Sequence, residues 1–188
     1  MTTPCDERQL VAQLQSGSRD AFARFLGIFQ DSVYNLAYRL VGSQDAEDVA
    51  QDALVEICNS IKSFQGKSSL KTWVYRVTMN VCLEHRRRHR PLFVPIDDNL
   101  LEESSTSHDP SAEAIRSEIK NEVDTAIGRL TDSHKEVVIL HELHGLTYKE
   151  CAEVLGCPVG TVKSRLSNAF VKLRQVLQGY APEGEAVI

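Results

Sequence analysis

The chain has no Cys-x-x-Cys pair, no Gly-rich phosphate loop and no apolar run long enough to cross a bilayer. Each absence removes a class of function. Five cysteines (Cys5, Cys58, Cys82, Cys151, Cys157) are an odd number at irregular spacing, which argues against a disulfide framework. Cys58, Cys82 and Cys151 fall on apolar helix faces as small core residues, and Cys5 is the best candidate for an exposed thiol. The apolar runs fall far short of the roughly 20 residues a membrane helix needs, so no membrane insertion is expected. The opening MTTPCDERQL lacks the basic and apolar regions of a signal peptide, so a cytoplasmic location is the expectation. His141, His144, Cys151 and Cys157 can be imagined as a metal set, but their spacing matches no common zinc pattern. With no nucleophile–base set either, neither catalysis nor a cofactor is expected. Clear period-two strand runs are also missing, and the periodicities are helical.

What is present is an ordinary globular composition, 42% hydrophobic and 25% charged over 188 residues, enough for one domain or two small ones. Residues 6–15, 18–40, 45–62 and 70–90 read as four helices, with Asp6 and Ser18 as N-caps of the first two. The second carries Phe22, Phe25, Leu26, Phe29, Val33, Leu36, Ala37 and Leu40, a stripe suited to a bundle core, and ends at Gly42-Ser43. Phe64–Ser69 is a polar loop containing a glycine. Residues 91–112, with Pro91, Pro95 and Pro110, have no helical period and read as a flexible linker. Helices resume at about Ala112–Leu130. Thr131-Asp132-Ser133 is a turn and N-cap region, and Lys135–His144 forms a helix. The plan is all-α: two small helical domains joined by a linker, with a frayed tail.

The most informative stretch is LTYKECAEVLGCPVGTVKSRLSNAFVKLR, residues 146–174. Tyr148, Cys151, Ala152 and Leu155 share one helix face. Gly156 fits a helix C-cap, and Pro158 suits the start of a new helix. The second helix runs from about Val159 to Leu177, with Val162, Leu166, Ala169 and Leu173 inward and Phe170 beside them. Its outer face carries Lys163, Ser164, Arg165, Ser167 and Asn168. That is the pattern of a helix-turn-helix whose second helix enters the DNA major groove.

A net charge of −5 looks wrong for a nucleic-acid binder until it is mapped. Lys67–Arg90 holds seven basic residues against Glu84 alone, and Gly160–Arg174 holds four against none. Asp45–Glu56 holds five acidic residues and no basic one, and Asp97–Asp124 nine against two. Such blocks suit surfaces for different partners.

Residues 64–80, FQGKSSLKTWVYRVTMN, place Phe64, Trp73 and Tyr75 among Lys67, Lys71 and Arg76. Aromatic faces can stack unpaired bases while cations hold the backbone. Burial of Trp73 in an amphipathic helix is the competing expectation. The run His85–Arg90, with Arg86 and Arg87, reads as a phosphate-contacting patch. On these features alone, a duplex-binding regulator and a thiol- or metal-responsive sensor stay open beside a factor that opens DNA.

DAEDVAQDALVEI (45–57), SLKTWVYRVTMN (69–80), an acidic linker and GLTYKECAEVLGCPVGTVKSRL (145–166) together resemble a bacterial RNA polymerase sigma factor of the extracytoplasmic-function (ECF) group. The resemblance runs in order from about residue 6 to 178. It implies sigma region 2 at 6–90, a linker at 91–112 and sigma region 4 at 113–178. It implies that Asp48, Gln51, Asp52 and Glu56 meet the β′ clamp helices of core polymerase. Recognition and melting of the minus-ten element would fall to Phe64, Lys67, Ser68, Lys71, Trp73, Tyr75, Arg76, Asn80, Arg86 and Arg87. Within that set, the loop Phe64–Ser69 takes up a flipped base and Asn80 walls its pocket. Minus-thirty-five recognition would fall to Thr161, Lys163, Ser164, Arg165, Ser167, Asn168 and Lys172, and Lys135 would lie toward the β flap. Control by an anti-sigma partner is implied as well. Many members carry Arg-Ala-Arg where this chain has Asn168-Ala169-Phe170, which puts the usual minus-thirty-five sequence in doubt, because Asn suits adenine and Arg suits guanine.

Overall fold

The computed structural model describes residues 4–89 and 122–177. The expected linker, the 112–121 part of the helix after it, and the tail lie outside those residues. The described elements are α1 (Pro4–Gln15), α2 (Arg19–Val41), α3 (Ala46–Ser60), a 3-10 turn (Ile61–Ser63) and α4 (Leu70–His89), followed by α5 (122–128), α6 (Asp132–Val138), a π-helical turn (Ile139–Leu143), α7 (Tyr148–Leu155) and α8 (Val159–Leu177). All regular structure among the described residues is helical.

Two compact units divide these residues. One gathers 4–89 with 139–162, and the other 122–138 with 163–177. In the first, α2, α3 and α4 pack against one another, and α1 lies on α2 and the 3-10 turn. The sequence stripe explains the packing. Phe25, Val33, Leu36, Ala37 and Leu40 on α2 are buried with Val49, Ala53 and Ile57 on α3 and Val74, Met79 and Cys82 on α4. Phe22, Leu26 and Phe29 of the same stripe are only half-buried. The Phe25 and Phe29 rings lie 4.9 Å apart. Thr78 is buried without penalty because its hydroxyl donates to the Val74 carbonyl one turn back, at 2.9 Å.

Local chemistry sets the ends. Ser18 takes an extended backbone and accepts the Ala21 N–H, so α2 starts where its cap allows. Gly42 closes α2 at φ 90, a conformation that costs glycine little. Asp6 lies inside α1, not at its cap: the helix begins at Pro4, whose fixed φ suits a first turn. The helix expected from Lys135 begins three residues earlier at Asp132, because the His134 and Lys135 N–H groups both bond to Thr131 O.

Candidate polymerase and nucleic-acid interfaces

Helix α3 is divided cleanly. Ala46, Val49, Ala50, Ala53 and Ile57 face the core, while Glu47, Asp48, Gln51, Asp52 and Glu56 are exposed. Asp45 stands at the N-cap of α3 without a side-chain cap bond, and its carboxylate instead meets His85 Nε2 of α4 at 3.1 Å. That bond ties α3 to α4 at one end. The four sequence-predicted polymerase contacts thus form one acidic face on a helix held from behind by apolar packing.

Between α3 and α4 runs a cleft of about 710 Å³. It joins Asp52 and Glu56 of the first predicted set to Trp73, Arg76 and Asn80 of the second. Ser63 of the 3-10 turn lines it as well. The Phe64–Ser69 loop adjoins Ser63 and is fixed from two sides. The Gln15 amide donates to Ile61 O at 3.2 Å and Phe64 O at 2.9 Å. Glu7 Oε1 accepts the Leu70 N–H at 2.9 Å, and Ser69 Oγ accepts the Thr72 N–H at 3.0 Å, so two acceptors serve the opening turn of α4.

Of the two expectations for the aromatic residues, an open stacking platform and burial of Trp73, the structure shows burial, and it extends to Tyr75. Trp73 is 5% exposed, with Phe64 tilted against it at 5.2 Å between centroids. Only Phe64 is half-exposed. Trp73 faces the core because Leu70, Trp73 and Val74 share the α4 stripe. Tyr75 is 4% exposed for a different reason. Its hydroxyl is 2.9 Å from His144 Nδ1, and the two rings lie 4.9 Å apart. Lys71 Nζ donates to His144 O at 2.9 Å and sits 5.8 Å from the Tyr75 ring centroid. Thr72 donates to Glu150 Oε1 at 3.1 Å. The predicted minus-ten set is therefore split. Trp73, Arg76 and Asn80 line the cleft, whereas Lys71 and Tyr75 lie against the segment that opens α7. Lys67, Asn80 and Arg87 are exposed, and Ser68 and Arg86 are half-buried.

Titration follows burial here. His144 is pushed down to about 4 by burial first and then by Arg39 and Lys71. Burial raises the Tyr75 hydroxyl. Glu150 is held below the usual range despite burial, by the Thr147 N–H and hydroxyl, Thr72 and Lys71. Burial pushes the Cys82 and Cys151 thiols up to about 12, far from the thiolate a redox sensor needs. Both are fully buried as expected, whereas Cys58 is only half-buried.

The helix-turn-helix follows its sequence. Thr147 and Glu150 form a capping box: Thr147 Oγ1 accepts the Glu150 N–H, and Glu150 Oε2 accepts the Thr147 N–H. Gly156 is left-handed at φ 61, and Cys157 N–H reaches back to Ala152 O at 3.1 Å. Pro158 O then accepts the Thr161 N–H as α8 begins. Tyr148, expected inward, is 39% exposed, and Val154 is buried on α7 beside Cys151 and Ala152. On α8, Val162, Leu166 and Ala169 are buried. Lys163, Ser164, Ser167, Asn168 and Lys172 are exposed, and Thr161 and Arg165 are half-buried. Phe170, placed beside the inner face by the sequence, is 46% exposed.

Sequence reasoning misses His144, Thr72, Glu150, Glu7 and Gln15. The Thr-x-x-Glu spacing at 147–150 is a readable signal for Glu150. The other four act across long sequence separations and leave none.

A Sigma-70 region 2 family model matches residues 28–91, and a Sigma-70, region 4 model matches residues 120–173. The chain is 30% identical to an ECF RNA polymerase sigma-E factor of Haemophilus influenzae, covering 95% of this chain and 98% of that one. It is 31% identical to the ECF RNA polymerase sigma factor SigW of Bacillus subtilis, covering 91% and 96%. Among solved structures, CnrH in complex with the cytosolic domain of CnrY superposes at a TM-score of 0.70, with 25% identity over 92% of this chain and 97% of that one. The sigma factor RpoE of Bartonella quintana, solved with the anti-sigma factor NepR, shares the fold at a TM-score of 0.64 and 24% identity, over 84% and 96%. An acidic α3 face beside a cleft of mixed charge, followed by a helix-turn-helix, stands where the two family models match, and the chain belongs to the ECF group of sigma-70 RNA polymerase sigma factors.

Proposed function

We propose that this sigma factor docks on the β′ clamp helices of core RNA polymerase through Asp48, Gln51, Asp52 and Glu56, and opens the minus-ten element at the adjoining α3–α4 cleft. The observation that carries the reading is the cleft itself. Asp52 and Glu56 form one wall, and Trp73, Arg76 and Asn80 form the other. Docking through α3 brings promoter DNA to the second wall in the same step. The 64–69 loop takes the flipped base beside Asn80. Phe64 supplies the available aromatic face, while Trp73 acts from below as its support. Extruding a base costs a few kcal/mol and stacking returns about 1–3 kcal/mol, so one or two such contacts decide whether transient opening is trapped. Arg86 and Arg87 hold backbone phosphates further along α4.

Region 2 then spans 6–90 and region 4 spans 113–178, with 91–112 as the connector. Lys163, Ser164, Ser167 and Asn168 read the minus-thirty-five element. Thr161, Arg165 and Lys172 meet phosphates, and α6 with Lys135 meets the β flap. The protein works in the cytoplasm, with no catalysis of its own. No described helix is long and apolar enough to cross a membrane. Control by an anti-sigma factor belongs to the same reading, supported by the likeness to CnrH bound to a polypeptide partner.

Mixing the purified chain with bacterial core polymerase tests this. Co-elution on size exclusion with sequence-selective opening of a fork-junction DNA library is the expected result. Failure to bind core together with tight binding to intact duplex would replace the reading with a stand-alone regulator.

A further inference from the structure

Two of the residues assigned to promoter melting are occupied by the chain itself. Lys71 Nζ donates to the His144 carbonyl, Tyr75 meets His144 Nδ1 and Thr72 donates to Glu150, all within one compact unit. We propose that the 144–150 segment is an internal plug on α4, which must leave Lys71 and Tyr75 before the minus-ten strand can reach them. This inference rests on the function proposed above.

The composition of the contact separates it from a permanent core. The bundle is joined by Phe25, Leu36, Ile57 and Met79, none more than 2% exposed. The plug meets α4 through three hydrogen bonds and one ring pair, with Leu146 as the one fully buried aliphatic side chain of the segment. A net hydrogen bond is worth roughly a fivefold factor in an equilibrium constant, so three give a contact that a polyanion can outcompete. His144 Nε2 adds to this weakness. It is buried with no hydrogen-bond partner, a cost relieved when the segment lifts into water. Lys71 supplies the competition. The backbone carbonyl that it now serves carries only a partial charge, whereas a DNA phosphate would offer it a full one.

The plug also links the two ends of the reading. Glu150 is both the Thr72 acceptor and half of the α7 capping box. The same carboxylate therefore stabilises the start of the helix-turn-helix and holds that start on α4.

The test uses the full chain with His144→Arg and, separately, Thr72→Val. His144→Arg places a fixed charge near Arg39 and Lys71. Thr72→Val removes the bond to Glu150, together with the local one to Ser69 Oγ, at nearly constant shape. Hydrogen exchange read by mass spectrometry should show 70–76 and 144–151 losing protection together, with 20–40 unchanged. A single-stranded oligonucleotide carrying the selected minus-ten sequence should bind about tenfold tighter to His144→Arg and about fivefold tighter to Thr72→Val. In the unmodified protein, adding that strand should expose 144–151. If the strand binds while 144–151 keeps its protection, or if both variants open without gaining affinity, the plug is overturned while core-dependent promoter opening still supports the function. If neither the unmodified chain nor the variants open promoters with core polymerase, the functional reading fails and the plug falls with it.

Discussion

Glu7 on α1 accepts the backbone N–H of Leu70, at the first residue of α4, at 2.9 Å. A residue near the start of the chain thereby serves the helix that carries the melting residues. Glu7→Ala removes this cap and should cost about 1 kcal/mol of stability. The 64–69 loop should lose order and fork-junction opening should fall, while core affinity stays within twofold. Thermal unfolding and an opening assay on the same preparation check this. An unchanged opening rate would make Glu7 a contributor to stability alone.

Asp48→Arg with Asp52→Arg reverses two charges on the exposed face of α3. Such a surface change away from packed features should alter stability by no more than about 0.5 kcal/mol per site. Core affinity should drop tenfold or more. If titration against labelled core shows the original affinity, the clamp contact lies elsewhere.

Lys163→Ala with Arg165→Ala should weaken transcription from promoters with a minus-thirty-five element and leave core binding intact. Each phosphate-binding side chain removed should flatten the salt dependence of DNA binding by about one unit of slope. Measuring affinity at several salt concentrations separates this from a loss of base reading, which would leave the slope unchanged.

His144 gives the acid response a definite sign. Its ring is pushed down from 6.5 to about 4 by burial, then by Arg39 and Lys71. The docked form needs the neutral ring, so the opened form takes up the proton first as pH falls. The docking of His144 on Tyr75 is at full strength above about pH 6.5 and weakens progressively toward pH 4, by at most tenfold per pH unit. Arg39, Lys71 and Tyr75 face the ring. Following the His144 ring by NMR checks it. A midpoint near 6.5 in the intact chain would mean that the ring is in water.

Much of this fold is written in local signals. Ser18, Gly42, Gly156 and Pro158 act on the residues beside them, so the ends of α2 and the helix-turn-helix corner follow from short-range chemistry. The acidic face of α3 follows equally from helical period, because five apolar positions fix which side faces in. Trp73 and Tyr75 are harder. Their residue types suit both stacking on DNA and packing in protein, and only the partners decide. Phe64 and His144 are those partners, and neither choice is encoded nearby. Phe170 shows the converse: an aromatic beside an apolar stripe is expected near the core, yet its position on α8 leaves it in solvent. Gln15 and Glu7 reach residues more than forty positions away, where no spacing rule applies.

The π-helical turn Ile139–Leu143 sets the angle at which His144 leaves its helix. His144 N–H bonds to Ile139 O five residues back, at 3.1 Å, and Gly145 at φ 66 then turns the chain toward Leu146. A π turn holds one residue more than an α-helix would need for the same turn. Removing one residue from 140–143 would place Ile139 four residues before His144, so the same N–H and carbonyl would close an ordinary α-helical turn. The extra residue is thus absorbed within one turn, and the stretch tolerates a one-codon deletion there with His144 still directed at Tyr75, whereas the same deletion inside α7 would turn every later residue of that helix by about 100°.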